Sequence, residues 1–255
     1  MKTNDIIQDI ATSDSFSGAW AALCSGAQAL ELNIGSYCFG FLEVPENTCA
    51  VQENLKPSKD GTYFTNYSSE YTEFYEAANL EDFDTTIDWF CNHTEAALWT
   101  AVDRPVADGR LKGKYAELYH GTRDFGMKNG AVFPLRKSTD VTVGGIVIFV
   151  DPELKSAQAD RLLLERMPAM AAIAEAFHLY RPVSDITTPK FPLSRREKEC
   201  LKYLCLGYGI KQISYRLGTH ERTVQKQITS AKKKLHATSI TQAVVKALAY
   251  ELIAP

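Results

Sequence analysis

The apolar positions of this chain change character along its length. Up to about Tyr180, helix-spaced stretches alternate with short β-branched runs; beyond Phe191 only the helical period remains. In the first part, Asp14 to Leu32 and Ser69 to Leu80 read as helices, and Gly35 to Glu43 and Gly61 to Phe64 read as strands. Two β-branched runs, Ala131 to Leu135 and Gly145 to Val150, flank a polar turn and predict a hairpin. A long amphipathic helix follows, with Leu162, Leu163, Met167, Met170, Ile173, Ala174 and Phe177 at helical spacing and Pro152 and Pro168 as interruptions. Helices and hairpins in this order predict an α+β domain, an α-β-α sandwich around a central antiparallel sheet.

After Pro192 the signals sharpen into an all-α, four-helix domain. Ser194-Arg195-Arg196-Glu197 is a capping box, in which hydroxyl and carboxylate each satisfy an orphan N–H of the first turn. Leu201, Leu204 and Cys205 share one face of the helix it opens, and Gly207 ends that helix as a left-handed cap. A short helix from Ile210 to Leu217, a tight turn at Gly218 and a third helix from Glu221 to Leu235 make a helix-turn-helix, whose second member enters the major groove. A second capping box, Ser239 to Gln242, opens a last helix with Ala243, Val244, Ala247, Leu248 and Leu252 on its apolar side. Apolar surface left over there would serve a dimer.

On the third helix Val224, Ile228, Ala231 and Leu235 form the apolar stripe. The other face carries Arg222, Thr223, Gln225, Lys226, Thr229, Lys232 and Lys233. Gln225 and Thr229, one turn apart, are placed to read base edges, and Gln pairs bidentately with adenine. The lysines and Arg222 neutralise phosphates, which supplies affinity but little sequence preference. Taken singly, each is also an ordinary polar residue on an exposed helix.

Charge strengthens the reading for the set. From Lys190 onward there are 13 Lys and Arg against four acids, a net of +9; the totals of 28 and 31 leave 15 against 27, a net of −12, for residues 1 to 189. One part is built to approach polyanions and the other to avoid them. The segment Arg181 to Lys190, with two prolines and a Ser, Thr and Asp cluster, reads as a linker, giving a sensor domain over 1–180, a linker over 181–190 and a DNA-binding domain over 191–255. A length of 255 residues suits two such domains.

Other classes lose ground on the same residues. No apolar run reaches the roughly 20 residues of a membrane span, and acids occupy the N-terminal stretch where a signal peptide is basic, so a cytoplasmic protein without membrane partners is expected. Cys24, Cys38, Cys49, Cys91, Cys200 and Cys205 lack metal-ligand spacing and read mostly as reduced core thiols. There is no nucleophile elbow or phosphate loop, and His93, His120 and His178 lie far apart, so neither an enzyme nor a metal or other cofactor is expected.

The run LSRREKECLKYLCLGYGIKQISYRLGTHERTVQKQITSAKKKLHATSITQAVVKALAYELI closely resembles the DNA-binding domain of LuxR-type regulators. It matches at Leu193 to Glu197, Leu201, Gly207, Ile213 to Gly218, Arg222 to Val224, Lys234 to Leu235 and Gln242 to Ala247; His220 and Gln227 depart from the usual Ser or Thr cap and His. The first domain resembles, more sparsely, the acyl-homoserine-lactone receptors, with Tyr71, Tyr75, Asp84 and Trp99 at the spacings of W-x3-Y-x8-D-P and the Trp beyond it, and Gly130 ahead of a strand. Tyr71 and Thr85 replace that pattern's Trp and Pro.

The resemblance implies a quorum-sensing regulator that takes a small-molecule autoinducer, an acyl-homoserine lactone or a relative, and binds a palindromic operator in double-stranded DNA as a homodimer. It implies that Asp84 accepts from the ligand amide, Tyr75 donates to the acyl carbonyl, Trp99 stacks on the head group, and Tyr71 offers a hydroxyl in place of an indole, with Tyr67 beside them. Read without the family, Tyr71, Tyr75 and Trp99 are aromatic core and Asp84 a helix cap or turn acid. The competing expectation keeps DNA binding but makes the first domain a ligand-independent dimerisation module or a sensor of a non-lactone signal.

Overall fold

The computed structural model describes residues 2–43, 56–57, 62–135, 142–181, 187 and 190–254. Cys49, Gly61, the turn of the hairpin and most of the linker segment lie outside them. The chain divides into two compact units, Met1–Arg181 and Pro182–Pro255.

The first unit is built on an antiparallel sheet. Strand β1 (Asn33–Glu43) pairs along one edge with β6 (Thr142–Phe149), which pairs with β5 (Gly130–Leu135), which pairs with β4 (Ala97–Leu98). The other edge of β1 takes β3 (Thr62–Thr65) and the two-residue β2 (Lys56–Pro57). The hairpin expected from the two β-branched runs is thus present, with Val132 opposite Val147.

Alternation along the strands assigns each residue to a face. Tyr37 and Phe39 point to one side, where their rings meet Phe177 and His178 of α8 (Ser156–Tyr180). Ser36 and Cys38 point to the other. The neighbouring glycines of β6 report the same division, since a Cβ on Gly144 would strike His178 whereas one on Gly145 would strike Phe90 of α4 (Thr85–Asn92). With α8 lie α1 (Thr3–Ala11) and α2 (Phe16–Ala29), sealed by Phe16, Trp20, Phe64 and Phe177. The opposite face carries α3 (Ser69–Ala77), α4, α5 (Trp99–Val102), α6 (Arg104–Ala107) and α7 (Lys114–Asp124), whose core joins Tyr71, Phe90, Trp99 and Val102 to Val132, Val143 and Val147 of the sheet. The α-β-α sandwich follows. Pro168 sits inside α8, where the carbonyl it leaves unbonded belongs to the exposed Leu164.

The second unit contains α9 (Arg195–Cys205), α10 (Ile210–Leu217), α11 (Glu221–Lys234) and α12 (Ile240–Ala249). Its core comprises Cys200, Leu201, Ile213, Val224, Ile228, Ala231, Leu235, Ala243 and Ala247, with Phe191 stacked on Tyr250 at 4.7 Å. The box at Ser194 is complete, and Gly207 and Gly218 adopt the left-handed conformation expected of helix-ending glycines. The second box is half made. Ser239 Oγ accepts from the Gln242 N–H, but Gln242 Oε1 accepts from the N–H and hydroxyl of Thr238 instead of from Ser239. Thr238 offers two donors to the amide where Ser239 offers one.

Among the described residues no disulfide joins Cys24, Cys38, Cys91, Cys200 and Cys205. None of the described helices is long and apolar enough to cross a membrane, and none of the described His, Cys, Asp and Glu residues cluster as a metal site.

Candidate functional site

Between the sheet and its outer helices lies a cavity enclosing about 60 Å³, lined among others by Tyr67, Tyr71, Tyr75, Asp84 and Trp99. Local sequence explains their convergence. Ser68 caps α3 by accepting from the Tyr71 N–H, and the helical period then turns Tyr71 and Tyr75 to one side. Asp84 caps α4, where Oδ1 accepts from Thr86 N at 2.8 Å and from Thr86 Oγ1 at 2.6 Å. The helix-cap reading of Asp84 is therefore correct, and the residue lines the cavity as well.

Trp99 begins α5 and is only 4% exposed. Gly130 makes room for it: a Cβ there would lie 2.6 Å from Trp99 Cε2 and would also strike the Ile148 carbonyl. The indole Nε1–H of Trp99 is buried and has no hydrogen-bond partner among the described residues. An orphaned buried donor is uncommon enough to mark a site where an acceptor is wanted.

Tyr75 Oη donates to Asp84 Oδ2 at 3.1 Å, so its proton is turned toward the carboxylate. Burial pushes the Asp84 carboxyl above its ordinary 3.8, against the hydrogen bonds from Thr86 and Tyr75 that lower it. Burial pushes the Tyr75 phenol up, and the Asp84 charge adds to that, so the phenol stays protonated. Tyr71, 6% exposed, shares a hydrogen bond of 3.1 Å with Thr122 Oγ1. Tyr67 packs edge-on against Tyr71 at 4.9 Å between ring centroids.

A second half of this wall comes from residues outside the receptor pattern. Thr85 Oγ1 donates to Asp103 Oδ1 at 2.9 Å, and Arg123 Nη1 lies 3.6 Å from Asp103 Oδ2. Tyr115, Leu118, Tyr119 and Thr122 of α7 face the cavity at i, i+3, i+4 and i+7, a stripe that was available in the sequence.

The second candidate surface is on α11. Arg222, Thr223, Gln225, Lys226, Thr229 and Lys233 are exposed, while Val224, Ile228 and Ala231 are buried, as the period requires. Thr229 Oγ1 donates back to the Gln225 carbonyl at 2.9 Å, leaving the hydroxyl oxygen as an acceptor. Lys232 is half-buried and donates to the Thr238 carbonyl at 2.8 Å. Behind this face Glu197 of α9 accepts from Ser230 Oγ at 2.6 Å and Lys234 Nζ at 2.8 Å, both on α11. Burial alone would raise the Glu197 carboxyl, but the bonds from Lys234, Ser230 and Ser194 outweigh it and hold it at about 2.

Residues 17–180 match the model of the autoinducer binding domain, and residues 191–247 match that of bacterial regulatory proteins of the luxR family. The chain belongs to the LuxR-type, autoinducer-binding transcription regulators. It is 25% identical over 201 residues to the transcriptional activator protein LuxR of Aliivibrio fischeri, covering 76% of this chain and 75% of that one. Its fold is similar to that of Escherichia coli SdiA, with a TM-score of 0.59 at 20% identity over 99% of this chain and 98% of the other. It is also similar to the N-acylhomoserine-lactone-dependent LuxR family transcription factor CepR2 of Burkholderia cenocepacia, with a TM-score of 0.50 at 16% identity over 70% and 92% of the two chains. A LuxR-type regulator thus carries Tyr71 and Thr85 where the receptor pattern has Trp and Pro, and both hydroxyls are engaged in the cavity wall.

Proposed function

We infer that this LuxR-type regulator senses an acylated small molecule, an acyl-homoserine lactone or a relative, held in the cavity under β1 and β6, and that occupancy favours a dimer that binds a palindromic operator. The observation that carries the reading is the meeting of Asp84, Tyr75, Tyr71, Tyr67 and Trp99 around one cavity, with an unpaired indole donor among them. Asp84 would accept from the ligand amide, its carboxylate having about four lone-pair sites of which Tyr75 and Thr86 occupy three. Trp99 would cover the head group. Tyr75, once the amide engages Asp84, can swing its hydroxyl to the acyl carbonyl.

Ligand pockets of drug size hold roughly 300–1,000 Å³. At about 60 Å³ this cavity admits an acyl chain only as its aromatic lining moves, which couples occupancy to the packing of α3, α4 and α7. On the DNA side, Gln225, Thr223 and Thr229 would meet base edges, with Arg222, Lys226, Lys232 and Lys233 on phosphates. Val244, Val245 and Leu248 keep partial exposure on α12 and supply apolar surface for a dimer.

The small cavity also favours one rival, a first unit that folds and dimerises without ligand. Thermal unfolding with a panel of acyl-homoserine lactones and related acyl amides separates the two. A ligand at about 100 times its Kd adds about 2.7 kcal/mol, or roughly 5–11 °C at the 2–4 °C per kcal/mol of a domain this size. No shift with any member of the panel would favour the rival.

A further inference from the structure

The two departures from the receptor pattern, Tyr71 and Thr85, are joined through the same stretch of the cavity wall. Tyr71 Oη is bonded to Thr122 Oγ1, Thr85 Oγ1 to Asp103 Oδ1, and Asp103 Oδ2 faces Arg123 Nη1, with Thr122 and Arg123 adjacent on α7. All five side chains line the cavity that holds Asp84 and Trp99. An indole is a donor only, whereas phenol and threonine hydroxyls both donate and accept, and a carboxylate only accepts. Replacing Trp by Tyr71 beside Thr122, and Pro by Thr85 beside Asp103, therefore adds acceptors to a wall that still donates through the Trp99 indole, the Arg123 guanidinium and one O–H of the Tyr71–Thr122 pair.

A lactone ring presents acceptors alone, its carbonyl and its ring oxygen. Against Asp103 such a head brings acceptor to acceptor in a buried place, where an unpaired polar group is costly. A head group with a hydroxyl donor instead satisfies the free lone pairs of Asp103 or of the Tyr71–Thr122 pair, and its oxygen can accept the unpartnered Trp99 Nε1–H. Burial reinforces the demand, because the Asp103 carboxyl is raised from its ordinary 3.8 by desolvation against the pull of Thr85 and Arg123.

We propose that the Tyr71–Thr122 and Thr85–Asp103–Arg123 groups form a head-group selector that makes this regulator prefer acyl amides with a hydroxyl-bearing head over acyl-homoserine lactones. The proposal rests on the reading of the cavity as the autoinducer site. Asp103 and Tyr71 are its specificity-determining residues, with Thr85 and Arg123 positioning the Asp103 carboxylate.

The test is isothermal titration of the full-length protein with two matched series, N-butanoyl, N-octanoyl and N-dodecanoyl derivatives of ethanolamine and of homoserine lactone. At the best chain length the ethanolamide binds about tenfold tighter or more, the worth of one hydrogen bond to a charged group. The readout in variants is the ratio of the two affinities, which a loss of folding or general packing lowers on both sides alike. Asp103→Asn, which puts an amide donor in place of a carboxylate oxygen, and Tyr71→Trp each lower the ratio, and the two together bring it to about one; Thr122→Val provides a third variant that leaves the Asp103 side intact and lowers the ratio in part. If lactones bind as tightly as ethanolamides, or if the ratio survives in Asp103→Asn and Tyr71→Trp, the selector is refuted while the cavity remains the autoinducer site. If neither series binds at any chain length, the autoinducer reading fails and the selector with it.

Discussion

Glu197→Ala probes how the recognition helix is held. The Glu197 carboxylate is 3% exposed and serves three partners: the Ser194 N–H of its own cap, and Ser230 and Lys234 of α11. Truncation leaves the Ser194 amide and the Ser230 hydroxyl without their acceptor. Lys234 fares better, because its side chain is 34% exposed and it also bonds the Pro192 carbonyl at 2.9 Å. Breaking a buried pair costs about 3–5 kcal/mol; with the lysine able to reach water the expectation here is about 3. A unit of this size, residues 182–255, has roughly 4–11 kcal/mol in total, so the substitution removes a large share of it. The melting point of the unit falls by roughly 12–24 °C.

The assay uses a property of the sequence. Trp20, Trp89 and Trp99 all lie in the first unit, so tryptophan fluorescence follows that unit while far-ultraviolet circular dichroism follows both. Urea unfolding of Glu197→Ala shows an early loss of dichroism with the fluorescence transition unmoved. Acid adds a second signature. The carboxyl is held at about 2 against its ordinary 4.5, so its contribution is full above pH 4.5 and is lost as pH falls from there to 2. The variant lacks that acid limb. A destabilisation under 1 kcal/mol, or an unchanged acid limb, refutes the idea that Glu197 holds α11 against α9.

Gly130→Ala drives a methyl into the Ile148 carbonyl and Trp99, costing about 1–3 kcal/mol as overpacking does and shifting the Trp99 emission; unchanged emission and stability would remove the case for Gly130 as the seat of the indole. His220 caps α11 without a side-chain bond, so His220→Ser stabilises the second unit by about 1 kcal/mol in urea unfolding, and a neutral or negative effect would show that another group already serves those amides. Burial raises the Asp84 carboxyl, so as pH falls it protonates earlier than an ordinary aspartate and ligand affinity drops there, a loss that Asp84→Asn abolishes; titration calorimetry across the acid range checks both halves.

The sequence exposed the second unit almost completely because the helical period there is reinforced by caps at Ser194 and Ser239 and by helix-ending glycines at Gly207 and Gly218. Ile210–Leu217 was legible to the residue; the Ser239 box was lost to a competitor one position upstream, Thr238, that the motif does not include, and Leu252, expected on the last helix, lies past its end at Ala249. In the first unit the long strands and α8 were legible, but α4 and α7 were not. The α4 segment TTIDWFCN combines threonines and aromatics that favour strands, and KYAELYHGTRD of α7 is mostly polar with a central glycine; both are helical because Asp84 caps one and Gly121 lets Phe74 pack against the other. The candidate site was legible on α3 and at Asp84 and Trp99, where spacing carried it. Its Asp103 and Arg123 half depends on α5, α6 and α7 folding across the cavity, of which the stripe of Tyr115, Leu118, Tyr119 and Thr122 on α7 is the one local sign.

The most direct test of the account is the affinity of the full-length protein for an operator selected from a random pool, read by fluorescence anisotropy with and without the acyl ligand that raises its melting point. Coupling between two sites is typically 5–150-fold. Ligand is expected to tighten binding by about tenfold in the wild type and to have no effect in Asp84→Ala, while Gln225→Ala relaxes preference at one operator position in both states and Lys226→Ala weakens all sequences alike. Equal affinity with and without ligand, or the same gain in Asp84→Ala, would contradict the account.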